Sequence, residues 1–216
     1  MTNLSTASDF TYQLGQLPSA AVTAMTPSFA ALPKDPYIQG DFRYRCYSNV
    51  KVSNGQVQRQ ATKSFMQSSD INKYLGDVER VYEEIPDSTL HSPLMVDMLA
   101  DFKQRCALDD QSVIEIHQMR IKGRRDDNTP PAPEGVHQDG FDYLGIYVMG
   151  SHHIDGGEVM LYNGPQQAPF FCERFNDGQY VVLNDRRYFH NAAPITPIAG
   201  HDEGYWDVIV FTAHAN

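Results

Sequence analysis

The chain has 216 residues, 41% of them hydrophobic and 20% charged, with a formal net charge of −10 at pH 7. That length supports one substantial core, and no apolar run approaches the roughly 20 residues of a membrane span, so a soluble, cytoplasmic, single-domain protein with no membrane partner is expected. An acidic surface repels a phosphate backbone, which disfavours nucleic acid as a partner; the one basic cluster, Lys122, Arg124 and Arg125, runs straight into Asp126 and Asp127.

The first residues, MTNLSTASDF, lack the basic start and apolar core of a secretory signal. Cys46, Cys106 and Cys172 are odd in number and widely spaced, which argues for reduced thiols rather than a disulfide framework.

Residues 1–40 are rich in Ser, Thr, Ala and Pro without a sustained period, and read as a loosely structured arm around the domain. Residues 41–110 should supply a hairpin and supporting helices. Phe42, Tyr44, Cys46 and Val50 alternate ahead of the turn signal Ser53-Asn54-Gly55, which predicts a hairpin over 41–57. A helix is expected around 70–84, and a clearer one over Ser92–Ala107. There Ser92 can cap the first turn, Pro93 suits the first helical position, and Leu94, Met95, Met98, Leu99 and Phe102 form one stripe.

Residues 111–216 change character. Short β-rich runs at 113–121, 143–149, 158–162, 170–175, 180–183 and 207–212 are separated by turn signals such as Gly156-Gly157 and Asn176-Asp177-Gly178. Six or more such strands predict an antiparallel sandwich or barrel, mostly β, with the helices in the first half.

The chemistry sits in Glu134-Gly135-Val136-His137-Gln138-Asp139-Gly140. In an extended chain His137 and Asp139 point to one side and can share an ion. His190 follows 51 residues after Asp139, behind a β-rich run, and is the expected third ligand. Two imidazoles and a carboxylate on one face of a metal suit a non-haem Fe(II) oxygenase, because the opposite positions stay open.

The strings PEGVHQDGFDYLGIYVMGSHHIDGGEVMLYN, LNDRRYFHNAAPITPI and DVIVFT, with SFMQSSDINKYLGDVERVYEEIP and VIEIHQMRI upstream, resemble the bacterial 2-oxoglutarate/Fe(II) dioxygenase family that contains the free L-isoleucine hydroxylases. The resemblance spans roughly residues 40–212. It implies a double-stranded β-helix (jelly-roll, cupin-like) core with flanking helices, and Fe(II) and 2-oxoglutarate as cofactors with dioxygen as cosubstrate. It also implies His137, Asp139 and His190 as iron ligands. The reaction implied is hydroxylation of a small substrate, a free aliphatic L-amino acid by analogy, with release of succinate and carbon dioxide. Asp139 at the carboxylate position favours hydroxylation or another oxidation over halogenation.

One position departs from the family pattern, which has an arginine immediately before the Asp-Val of the last strand to pair with the distal carboxylate of 2-oxoglutarate. Trp206 stands there, and an indole cannot form that ion pair. Arg120 is the expected replacement, followed by Arg186 and Arg187, with Trp206 lining the altered pocket. Asp142, Tyr143, Glu158 and Tyr162 are lesser candidates for substrate contact. His117 reads as a core histidine or one behind the ligands, and His152 and His153 as exposed loop residues. Two alternatives stand beside the hydroxylase: an iron oxidase independent of 2-oxoglutarate, and a non-catalytic cupin-like binding protein.

Overall fold

The computed structural model describes residues 10–61, 64–69, 76–125 and 129–216. The expected loose arm instead holds strand β1 (Tyr12–Gln16) and helix α1 (Ser19–Ala30). The helix buries Val22, Met25 and Phe29, whose spacing of three and four residues is a helical stripe; small residues and the internal Pro27 mask it in the sequence. The predicted hairpin forms from β2 (Arg43–Ser53) and β3 (Gln56–Arg59). Asn54 and Gly55 take φ of 51° and 72°, the left-handed turn that this dipeptide favours. Of the helix expected over 70–84, residues 70–75 lie outside the described residues. Residues 76–84 are not helical: they make a turn and then an irregular run, with Arg80 bridged to Phe65; Val78 and Val81 stay exposed and only Tyr82 is a buried hydrophobic there, so no apolar stripe forms.

A short helix α2 (Asp87–Leu90) leads into α3 (Pro93–Arg105). The Ser92 side chain caps α3 by accepting from the Met95 N–H, and the predicted stripe Leu94, Met95, Met98, Leu99 and Phe102 is buried. Nine strands follow. They are β4 (Ile114–Arg124), β5 (Tyr143–His152), β6 (Ile154–Asp155), β7 (Val159–Tyr162), β8 (Phe171–Glu173), β9 (Gln179–Asn184), β10 (Phe189–Ala192), β11 (Thr196–Pro197) and β12 (Glu203–Ala213).

The strands pair antiparallel into a seven-stranded sheet, β1-β9-β5-β12-β4-β2-β3, a three-stranded sheet, β10-β7-β8, and the pair β11-β6. This is the jelly-roll, double-stranded β-helix arrangement with few helices. Alternation along each strand assigns its side chains to one of two layers. On the outer face Ile114, Ile116, Val182, Ile209 and Phe211 meet Phe29 of α1 and Met98 and Phe102 of α3. On the inner face Leu144, Ile146, Val181, Trp206 and Val208 meet Val159 and Leu161 of the small sheet. The β6–β7 turn needs glycine: Gly156 has φ of +85°, and a Cβ there would lie 1.9 Å from the Pro194 carbonyl oxygen. Among the described residues, no helix is long and apolar enough to cross a membrane.

Candidate metal centre and its cavity

His137 and Asp139 lie in the irregular segment that enters β5, not within a strand, while His190 is the second residue of β10. Two backbone hydrogen bonds bring the segments together: His190 N–H donates to the His137 carbonyl at 2.8 Å, and His137 N–H to the His190 carbonyl at 3.0 Å. One donor atom from each of His137, Asp139 and His190 then falls within 4.8 Å of the others.

The imidazoles are aimed by their remote nitrogens. His137 Nδ1 bonds the Gly135 carbonyl at 2.8 Å, which turns Nε2 to within 3.4 Å of Asp139 Oδ1. His190 Nδ1 faces Asp185 Oδ1 at 3.5 Å, and its Nε2 lies 3.8 Å from Asp139 Oδ2. Asp185 is fully buried and was not foreseen as a site residue. Its carboxylate also accepts the backbone N–H groups of Asp139 at 3.2 Å, Gly140 at 2.9 Å and Phe141 at 3.2 Å. A single side chain thus holds the Asp139 segment and faces His190, the kind of support that orients metal ligands. The only sequence signal was a carboxylate five residues before His190.

Burial alone would discourage protonation of His137. The hydrogen bond and charge of Asp139, joined by the Glu134 charge, outweigh it and hold His137 up at about 9. Burial likewise works against the Asp139 carboxylate, but both imidazoles pull it well below the usual carboxylate range. Two imidazoles tightly opposed to a carboxylate, with Nε2 atoms converging, fit a first-row metal ion whose bonds to nitrogen are about 2.0–2.1 Å.

The three residues border a cavity of about 120 Å³ between the two sheets. Trp206 is buried and lines it. Arg120 does not. By β alternation it lies on the same face as Gln118, whose amide reaches Ser28 of α1. There its guanidinium forms a two-point ion pair with Asp207, both contacts 2.7 Å, and covers the Tyr205 ring at 3.8 Å. Arg186 is exposed and pairs with Asp142, while Arg187 is exposed beside Tyr188. None of these three reaches the cavity.

Asp142, Tyr143, Glu158 and Tyr162 are also absent from the cavity wall. Asp142 instead accepts the Ala215 N–H, and Tyr143 packs on Phe10. His152 packs at a tilt against Tyr205 and His153 stacks on His201, away from the triad. His117 does line the cavity, fully buried and stacked on Tyr47; burial first, then the Arg45 charge, keeps it neutral.

The cations that do reach the cavity are Arg43, Arg45 and Arg80, none of them singled out from the sequence. Arg43 and Arg45 sit at alternate positions on β2, opposite to the apolar face that predicted the strand. An arginine every second residue on a strand inside a barrel was the available signal.

The 2OG-Fe dioxygenase family profile matches residues 26–212. The chain belongs to this 2OG-Fe dioxygenase family. Fe(II) and 2-oxoglutarate are the cofactors that membership brings, which sets aside the non-catalytic and 2-oxoglutarate-independent alternatives. Among solved structures, a BsmA homologue from Methylobium petroleophilum PM1 is similar at 21% identity and TM-score 0.78, over 97% of this chain and 90% of the other. IDO from Bacillus thuringiensis is similar at 19% identity and TM-score 0.74, over 91% of this chain and 83% of the other. The Fe(II)/α-ketoglutarate-dependent dioxygenase TqaL is similar at 17% identity and TM-score 0.66, over 97% and 84%. At these identities the likeness is one of fold. No protein of curated function matches the sequence.

Proposed function

We propose that this oxygenase hydroxylates an aliphatic C–H bond of a free L-amino acid or a similarly small polar acid, with iron held by His137, Asp139 and His190. When bound, the iron activates dioxygen with 2-oxoglutarate as the reductant, releasing succinate and carbon dioxide. We also place the enzyme in the cytoplasm, as a single domain.

The observation that carries this reading is the chemistry of one small cavity. The triad and the Glu134 carboxylate, 3.5 Å from His137 Nε2, are part of its wall, and so are the buried Arg45 and Arg80. Ile38, Met119, Ile121 and Val159 provide aliphatic surface between the charged groups. A short zwitterion with an apolar side chain, seated beside the dicarboxylate cosubstrate, matches that mixture: ammonium to Glu134 and hydrocarbon to the aliphatic wall, with Arg45 and Arg80 left to the cosubstrate. The protein's own work is then to fix the ligand ends, hold the target carbon near the triad and keep bulk water out.

The reading is tested by a mass-spectrometric screen of free L-amino acids with Fe(II), 2-oxoglutarate, ascorbate and air. A product heavier by one oxygen, formed with stoichiometric succinate, is expected. Succinate without any oxygenated amino acid across the whole set would remove the amino-acid assignment.

A further inference from the structure

The cavity buries more positive charge on one wall than that wall neutralises. Three guanidinium groups line it, and Arg43 is already matched by buried Asp35 at 2.8 Å. Arg45 and Arg80 are not matched. They are 7% and 2% exposed, and among the described residues neither has a carboxylate within ion-pair distance. Their partners are neutral: Arg45 reaches the Nδ1 of His117, and Arg80 reaches the Gln67 amide oxygen at 3.2 Å. The Nε atoms of both are buried without any acceptor. Phe65 lies between the two cations, its ring centroid 5.3 Å from the Arg45 guanidinium carbon and 4.5 Å from that of Arg80. A buried cation without a counter-charge is strongly unfavourable, so a fold that keeps two of them on one cavity wall is built to receive an anion.

Charge and distance narrow the anion. In the cavity the two free guanidiniums are balanced by the carboxylates of Asp139 and Glu134, both of which lie at the triad. A divalent ion at the triad leaves the cavity with an excess of two positive charges, which a dianion removes. The span is short: Gln67 donates to Asp139 Oδ1 at 3.1 Å and accepts from Arg80, so one side chain separates the guanidinium from the triad carboxylate. The inward residues of β12, Trp206, Val208, Val210 and Thr212, carry no cation.

We propose that Arg45 and Arg80 anchor the distal carboxylate of 2-oxoglutarate, from the wall formed by β2 and the Phe65–Arg80 bridge rather than from the last strand. This rests on the oxygenase reading above. It makes Arg45 and Arg80 the source of the preference for a dicarboxylate over a monocarboxylate 2-oxo acid.

The test reads binding, not turnover. The protein is loaded with Fe(II) without oxygen and titrated with 2-oxoglutarate or with 2-oxopentanoate, which carries a methyl group where 2-oxoglutarate has its distal carboxylate. The visible charge-transfer band of the iron chelate reports each Kd. The wild type should bind 2-oxoglutarate more tightly by about tenfold to a hundredfold, the worth of a charge-assisted hydrogen-bonded contact. Arg45→Met and Arg80→Met should each lose most of that preference while binding 2-oxopentanoate as before. Arg45→Lys, which keeps the charge, should retain part of it and guards against a variant that merely misfolds. Unchanged preference in both Met variants, or equal weakening of both acids, would overturn the proposal. If the wild type gave no band with either acid, the oxygenase reading itself would fall, a result distinct from a band indifferent to the arginines.

Discussion

The two faces of the seven-stranded sheet are built from the same strands under different rules. Outward, β4, β5, β9 and β12 present apolar side chains to α1 and α3, and the one two-point ion pair there, Arg120 with Asp207, is closed on itself. Inward, the alternate residues of the same strands and of β2 mix aliphatic groups with Arg43, Arg45 and His117, and Arg45, like Arg80 from the Phe65–Arg80 bridge, lacks a counter-charge among the described residues. On the outer face the buried guanidinium of Arg120 has its counter-charge within the protein. The inner face keeps Arg45 and Arg80 without one, and it is this difference that the anchoring role proposed above accounts for.

The sharpest way to break the comparison is at the triad. His137→Ala or Asp139→Ala should abolish stoichiometric Fe(II) binding, measured by equilibrium dialysis, and with it all succinate release, while the thermal midpoint of the metal-free protein changes little. Full iron content and turnover in His137→Ala would show that the metal lies elsewhere.

Arg120→Leu probes the outer face. It strands Asp207, whose carboxylate burial already pushes up despite its partner, and should cost about 3–5 kcal/mol in a urea titration. The 2-oxoglutarate Kd of the fraction that folds should stay at the wild-type value; a rise would return Arg120 to the site.

Asp185→Asn lies between the two extremes, since it loosens the support of the metal loop without removing a ligand. Iron affinity should fall about tenfold to a hundredfold, with the circular-dichroism spectrum preserved. The smallest effect is expected at the α3 cap, far from the cavity. Ser92→Ala should cost about 1 kcal/mol by chemical denaturation and leave cofactor binding untouched.

Much of the frame was legible without coordinates because it depends on local order. The Asn54-Gly55 reversal, the Ser92-Pro93 start of α3 and the strands after residue 110 follow from residue types a few positions apart. Helix α1 escaped because its stripe of three residues is diluted by Ala, Ser and Thr; packing on the sheet, not propensity, makes it a helix.

The sequence by itself singled out His137, Asp139 and His190 as candidate metal ligands, because donor type, strand context and the family resemblance can be read without a measured distance, and the structure brings the three together. Only the tertiary structure decided the cations. Arg120 and Arg45 both stand on β strands, and nothing local tells them apart. Strand pairing puts Arg120 beside Asp207 on the helix side and Arg45 beside His117 on the cavity side. Asp185 and Arg80 were equally hidden, because each takes its role from groups far away in sequence or across a fold that alternation alone does not specify. Side-chain facing in a sheet is a two-fold choice, and it is settled by which neighbours the whole fold brings to each face.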